Sequence, residues 1–195
     1  MLEMRAPFPG SRIFLESLGS RLFHDESVAE FGLGRASVAV IFKFDESAEI
    51  LLIKRAVKEG DPWSGQIAFP GGRVERGDSS FRDTAIRETR EEIGIDLRRN
   101  SRFLGYLGLF KARTKGMMVV PSVFTLTREP RISPNREVAS HRWVPIDVFG
   151  TDSSRSIYSR DHDGMKISFP SYVVGDYVIW GLTERIISTL TAYLY

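Results

Sequence analysis

The chain has 195 residues, 42% of them hydrophobic and 27% charged, and its 27 Lys/Arg against 25 Asp/Glu leave a formal net charge of +2. That length supports one domain with a real core, and so balanced a charge argues against general nucleic-acid or membrane-surface binding. There is no cysteine, which excludes disulfides, thiolate catalysis and cysteine-zinc sites, and three scattered histidines make a poor metal set.

No apolar run approaches the roughly 18 residues of a membrane span. The opening MLEMRAPFPGSR lacks the apolar core of a signal peptide, so a cytoplasmic protein is expected. Residues 1–10 read as irregular. Ser11 can cap a short helix with Ile13, Phe14, Leu18 and Leu22 on one side. SVAVIFKF (37–44) and EILLIKR (49–55) read as strands joined by a turn at Asp45-Glu46-Ser47, and their Val/Ile/Leu density predicts a buried sheet. Residues 56–65 are a loop broken by Gly60, Pro62 and Gly65.

QIAF is a short strand leading into Pro70-Gly71-Gly72. Asp78, Ser79 and Ser80 are N-cap candidates, and Ser80 with Asp83 resembles a capping box. The helix that follows runs to about Gly94, a natural stop. Further strands are predicted at 102–110, 117–127 and 141–145, then a hairpin over 156–174 turning at Asp163-Gly164. WGLTERIISTLTAYLY carries Leu182, Ile186, Ile187, Leu190 and Leu194 at helical spacing. With no internal repeat or domain boundary, the expectation is one mixed α/β domain over 1–195. Its core is about 36–150, with an N-terminal helix and a C-terminal hairpin-helix extension, and the central helix lies on one side of the sheet.

That central helix holds the chemistry. Glu88, Glu91 and Glu92 lie three and four residues apart and point off one side, while Ile86, Thr89 and Ile93, bordered by Ala85, face the sheet. Three carboxylates within about 1.2 turns suit Mg²⁺ or Mn²⁺, hard cations that take carboxylate, water and phosphate oxygens. A carbonyl of the Gly71-Gly72 turn can add a ligand, because glycine lets the backbone approach closely. The plain alternative is a solvated charged face with an Arg87–Glu91 i,i+4 pair.

The segment GGRVERGDSSFRDTAIRETREEIGI resembles the Nudix box, G-x5-E-x7-R-E-U-x-E-E-x-G-U with U aliphatic. Gly72, Arg87, Glu88, Glu91, Glu92, Gly94 and Ile95 match it, and HRWVPIDVF resembles an element that follows it. The departures are one extra residue between Gly72 and Arg87, Asp78 at the first Glu position, and Thr89 for the aliphatic residue. The resemblance implies an α/β/α sandwich with a mixed sheet and a carboxylate-bearing catalytic helix. It implies divalent-metal-dependent hydrolysis of a nucleoside diphosphate linked to another group. Glu88, Glu91, Glu92 and the Gly71 carbonyl would be the metal ligands, and Arg87 would orient a glutamate. The general base is left open among Glu88, Glu91 and the downstream Glu137, whose plain reading is an ordinary turn charge. A small nucleotide substrate and a possible homodimer also follow from it.

LLIKRAVKEGDPWSGQIAFPGG and IWGLTERII are similar to segments of the coenzyme A pyrophosphatase branch, through Leu51, Leu52, Arg55, Ala56, Gly65, Gln66 and Ala68 to Gly72. That implies cleavage of CoA or acyl-CoA to 3′,5′-ADP and a 4′-phosphopantetheine product. The 55–65 loop is one residue longer than the branch pattern, and Asp61-Pro62-Trp63-Ser64 replaces a more polar stretch. Arg55 belongs to this segment, Trp63 could stack on adenine, and Lys111, Arg113 and Lys115 could meet a substrate phosphate. A loop anchor and a solvated hairpin tip are the plain readings of Trp63 and of the basic run. Competing readings are a diphosphatase for ADP-ribose, NADH or a nucleoside triphosphate, and a catalytically silent nucleotide-binding module.

Overall fold

The computed structural model describes residues 11–25, 28–32, 34–112, 116–162 and 164–194. Among them, eight strands form one mixed sheet with the path β3-β2-β1-β7-β5. These are β1 (Arg35–Phe44), β2 (Ala48–Arg55), β3 (Ile67–Ala68), β4 (Gly71–Arg73), β5 (Ser101–Tyr106), β6 (Phe110–Lys111), β7 (Met118–Leu126) and β8 (Val138–Pro145). β1 and β7 run parallel from Arg35↔Met118 to Phe42↔Thr125, and the other pairings are antiparallel. One edge of β1 is forked. Its first half pairs with β4 (Val38↔Gly71) and its second half with β2 (Phe42↔Ile50).

The strands read as continuous apolar runs because both faces are covered. Alternation along β1 sends Ala39 and Ile41 to one side and Val40 and Phe42 to the other, all fully buried. The first side packs on α2 (Phe81–Ile93) through Ala85, Ile86 and Ile93. The second packs on α1 (Ser11–Gly19) and α4 (Leu182–Leu194) through Leu18, Ile186, Ile187 and Leu190. The result is the expected α/β/α sandwich. Phe14 sits edge-on to Phe42 at 5.4 Å, while the Ile13 side chain lies outside the described residues.

Elsewhere the structure departs from the predicted elements. The segment 102–110 breaks into β5 and β6, with a bulge between Phe103 and Gly105. Gly105 has φ 144°, and a Cβ there would lie 2.8 Å from the Phe23 carbonyl oxygen, so the Phe23↔Tyr106 bridge depends on its lack of a side chain. β8 starts three residues earlier than the predicted 141. The hairpin forms as β9 (Arg155–His162) and β10 (Met165–Val174), with Gly164 at φ 76°; Asp163 lies outside the described residues. A further strand, β11 (Tyr177–Trp180), makes this a three-stranded sheet, and Tyr172, Tyr177 and Ile179 seat it on the α4 side of the core. A short helix α3 (Leu97–Asn100) joins α2 to β5.

Candidate functional site

The Pro70–Arg73 turn and α2 build the site together. Gly71 has φ 152°, and a Cβ on it would lie 2.4 Å from the Ser37 carbonyl oxygen. Gly72 faces the helix, where a Cβ would sit 2.3 Å from Glu88 Oε1. Two glycines are therefore needed for two reasons, one to hug β1 and one to let a carboxylate lie against the main chain. The helix beneath is fixed at both ends. Ser80 accepts from the Asp83 amide, and Gly94, at φ 75°, donates its N–H to the Arg90 carbonyl.

The three glutamates share one side of α2 but differ in burial. With about 100° per residue, Glu92 lies about 40° from Glu88 toward Ala85, and Glu91 about 60° the other way. Glu92 is accordingly buried, at 3% exposure, at the margin of the core-facing stripe rather than on the open face that its spacing suggested. Its Oε2 accepts the Gly71 amide at 2.8 Å, and its Oε1 faces Arg55 Nη1 at 3.8 Å. Burial pushes the Glu92 carboxyl up to about 7. The Gly71 hydrogen bond and Arg55 oppose that rise, while the charges of Glu88 and Glu137 add to it. Burial also raises Glu88, against the pull of Arg87. Glu91 is exposed.

Arg87 is the hub. Its Nε and Nη2 grip the two oxygens of Asp78 at 3.0 Å each, Nη2 also donates to the Arg73 carbonyl at 2.8 Å, and Nη1 donates to Glu88 Oε1 at 2.9 Å and Glu91 Oε2 at 3.4 Å. The bidentate hydrogen bond to Asp78 raises its pKa further, against burial. The positive charge that three neighbouring carboxylates require is thus supplied in part from within. No three His, Asp or Glu side chains among the described residues converge as a ready metal cage.

The donor chemistry nonetheless fits Mg²⁺ or Mn²⁺. Hard carboxylate oxygens line one helix side, and the innermost is so poorly solvated that a cation beside it would stabilise its charged form. Gly71 points its amide, rather than its carbonyl, at Glu92.

Asp78 is not the helix cap. Ser80 is, and Asp78 is the buried anchor of Arg87, also accepting the Thr84 hydroxyl and the Glu75 amide at 2.9 Å each. Its one sequence signal is the acid at the first Glu position of the box. Arg55 lies beside Glu92 and donates to Asp61 Oδ2 at 3.1 Å. Sequence reasoning did not single out Asp61, which lay in a stretch noted only as a departure. Trp63 is half-buried in the 56–66 loop, its amide donating to Asp61 Oδ1. Glu137 opens toward solvent beside Ala56, whose amide its carbonyl accepts at 2.8 Å, and its charge reaches Glu92. Lys111 is exposed and pairs across to Met118, which pairs with Arg35, so it stands at the same end of the sheet. Arg113 and Lys115 lie outside the described residues.

Comparison with known proteins agrees with this geometry. Residues 34–161 match the NUDIX domain. The chain is 32% identical over 168 residues to an uncharacterized protein of Schizosaccharomyces pombe, covering 71% of this chain and 50% of that protein. It is 33% identical over 130 residues to the peroxisomal coenzyme A diphosphatase ndx-8 of Caenorhabditis elegans, covering 65% and 55%. To the uncharacterized Nudix hydrolase NudL of Pectobacterium atrosepticum it is 32% identical over 143 residues, covering 72% of each. The chain thus spans about half the length of the first two of these relatives. A MutT/nudix family protein from Enterococcus faecalis shares the fold at a TM-score of 0.53 and 19% identity, over 84% of this chain and 62% of that one. A matched domain reaching from the start of β1 through the hairpin strand β9, with the box carboxylates and their glycine turn inside it, identifies the chain as a member of the NUDIX family.

Proposed function

We propose that this chain is a divalent-metal-dependent diphosphatase that hydrolyses a nucleoside diphosphate linked to a second group, with CoA or acyl-CoA as the substrate class. The observation that carries the reading is Glu92, a helical carboxylate at 3% exposure held by one backbone amide beside a second, half-buried carboxylate, Glu88. A structural role would not favour two such groups side by side, because each adds to the cost of ionising the other.

Glu88, Glu91 and Glu92, with the Gly71 carbonyl, are the residues that would hold Mg²⁺ or Mn²⁺. Bound there, the metal would shield the diphosphate and acidify the attacking water. Arg87, tied to Asp78, sets the rotamer of Glu88 and does not itself reach substrate. The base that takes the proton of the attacking water is Glu88, Glu91 or Glu137. Arg55 and Lys111 are the cations for substrate phosphates, with Arg113 and Lys115 beside Lys111 in sequence. Trp63 offers a flat face to a base. Water adds to one phosphorus, the bridging P–O bond breaks, and CoA gives 3′,5′-ADP and 4′-phosphopantetheine.

Support for CoA is the 65–72 motif and the likeness to a protein named as a coenzyme A diphosphatase. The same reading treats residues 1–195 as one domain, since one apolar cluster joins strands of both sheets to α1 and α4. The test is product analysis by mass spectrometry with CoA, ADP-ribose, NADH and deoxynucleoside triphosphates in Mg²⁺. Release of 3′,5′-ADP from CoA is expected. If CoA is untouched while ADP-ribose turns over, the CoA assignment is wrong.

A further inference from the structure

Arg55 sits between two carboxylates and is hydrogen-bonded to only one of them. Its Nη2 lies 3.1 Å from Asp61 Oδ2, a charge-assisted hydrogen bond, whereas its Nη1 stands 3.8 Å from Glu92 Oε1, too far for one. Among the described residues, its buried Nε has no partner. The guanidinium is therefore drawn off Glu92 by Asp61.

Asp61 is itself fixed. Its Oδ1 accepts the Trp63 amide at 3.0 Å, its own amide donates to the Lys58 carbonyl, and its carbonyl accepts from the Ser64 amide at 3.0 Å. Lys58 N to Ser64 Oγ at 2.8 Å and Arg55 N to the Gln66 carbonyl at 3.0 Å close the loop onto β2. Gly60 and Gly65, at φ 76° and 69°, let it turn so tightly. Burial works against the Asp61 anion, but the Trp63 amide and Arg55 outweigh it and hold its pKa below the ordinary value. The loop is thus a rigid mount for one negative charge.

Resting on the metal-dependent reading above, we propose that Asp61 is a positioning residue that holds the Arg55 guanidinium back from Glu92, leaving the Glu92 carboxylate free for a divalent cation. Without Asp61, Arg55 needs to move only about 1 Å to form a full ion pair with Glu92. In that position it competes with the metal, because one guanidinium and one cation cannot both take the same carboxylate oxygen.

The test is a Mn²⁺ titration of the nucleotide-free protein, read by electron paramagnetic resonance of free Mn²⁺, with thermal melting as the control for folding. Asp61→Asn is expected to weaken Mn²⁺ binding at least about fivefold, and pairing it with Arg55→Gln to return affinity to within about twofold of Arg55→Gln alone. Asp61→Ala serves if Asp61→Asn melts early. The proposal is overturned if Asp61→Asn binds Mn²⁺ like the parent, or if the double variant binds as weakly as Asp61→Asn. Glu92→Gln in the same titration separates the two readings. Loss of binding there leaves metal dependence standing whatever Asp61 does, whereas binding equal to the parent removes the metal reading and this proposal with it.

Discussion

Helices α2 and α4 lie on opposite faces of the large sheet, and each buries one glutamate. Glu184 on α4 is 9% exposed, and its Oε1 accepts the Ser188 hydroxyl at 2.8 Å, which in turn meets the Tyr172 hydroxyl at 3.0 Å. Glu92 on α2 is more deeply buried, at 3%, yet has one amide and a cation at arm's length, with Glu88 and Glu137 adding repulsion. The first is a carboxylate solvated by hydroxyls within the fold. The second is a carboxylate the fold leaves under-solvated. Burial of the same residue type thus marks two different uses, and the difference lies in the partners.

Glu92→Gln gives the largest expected contrast. Turnover should fall on the order of 10³-fold, about 4 kcal/mol of transition-state stabilisation. Melting temperature should hold or rise, because a neutral amide relieves a buried charge. Glu184→Gln should leave turnover within about twofold and lower stability by roughly 1 kcal/mol through its hydroxyl chain. Full activity in Glu92→Gln would erase the distinction between the two glutamates.

Next is the backbone that frames Glu92 and Glu88. Gly71→Ala forces a Cβ against the Ser37 carbonyl at a positive φ and should cost upwards of about 2 kcal/mol in urea melts. In Gly72→Ala the atoms nearest the new Cβ all belong to the Glu88 side chain, which can swing away, so activity should drop far more than stability. An equal loss of both in Gly72→Ala would argue that the turn, not the carboxylate, sets that glycine.

A smaller effect separates Asp78 by pH. Burial raises its pKa, but hydrogen bonds from Arg87, the Glu75 amide and Thr84 outweigh this and leave it below 3.8 in the folded state. Its contribution to stability is therefore fully present above the unfolded value and is lost as pH falls through the lower folded value. Asp78→Asn should flatten the acid limb of the stability profile below about pH 4. An unchanged acid limb in Asp78→Asn would mean that Arg87 does not rely on it.

Much of this was legible in the sequence because the relevant signals are local. Ser80 and Gly94 bracket α2, and the Val/Ile/Leu density of 37–44 and 49–55 tells of a sheet covered on both sides. The burial of Glu92 was not, since a period of 3.6 places it on the boundary and only the Gly71 turn above decides its side. β11 was missed because Tyr177–Trp180 is four residues long and abuts the helix pattern. Asp78 and Asp61 were undervalued for a shared reason. Their partners, Arg87 and Arg55, are nine and six residues away across turns, a distance at which no periodicity applies.

The forked edge of β1 has a consequence for how such a chain can change. Because β4 and β2 are docked separately on that edge, the segments 56–66 and 74–80 begin and end at anchored backbone. Adding a residue to either shifts no strand register, and lengthening a loop of about ten residues by one costs only about 0.1 kcal/mol of closure entropy. With Asp78 at the regular six-residue distance from Gly72, the extra residue falls between Asp78 and Arg87, where Asp78 and Ser80 lead the chain into α2. A change of length in either segment can therefore be absorbed beside the carboxylate site without moving the strands that frame it.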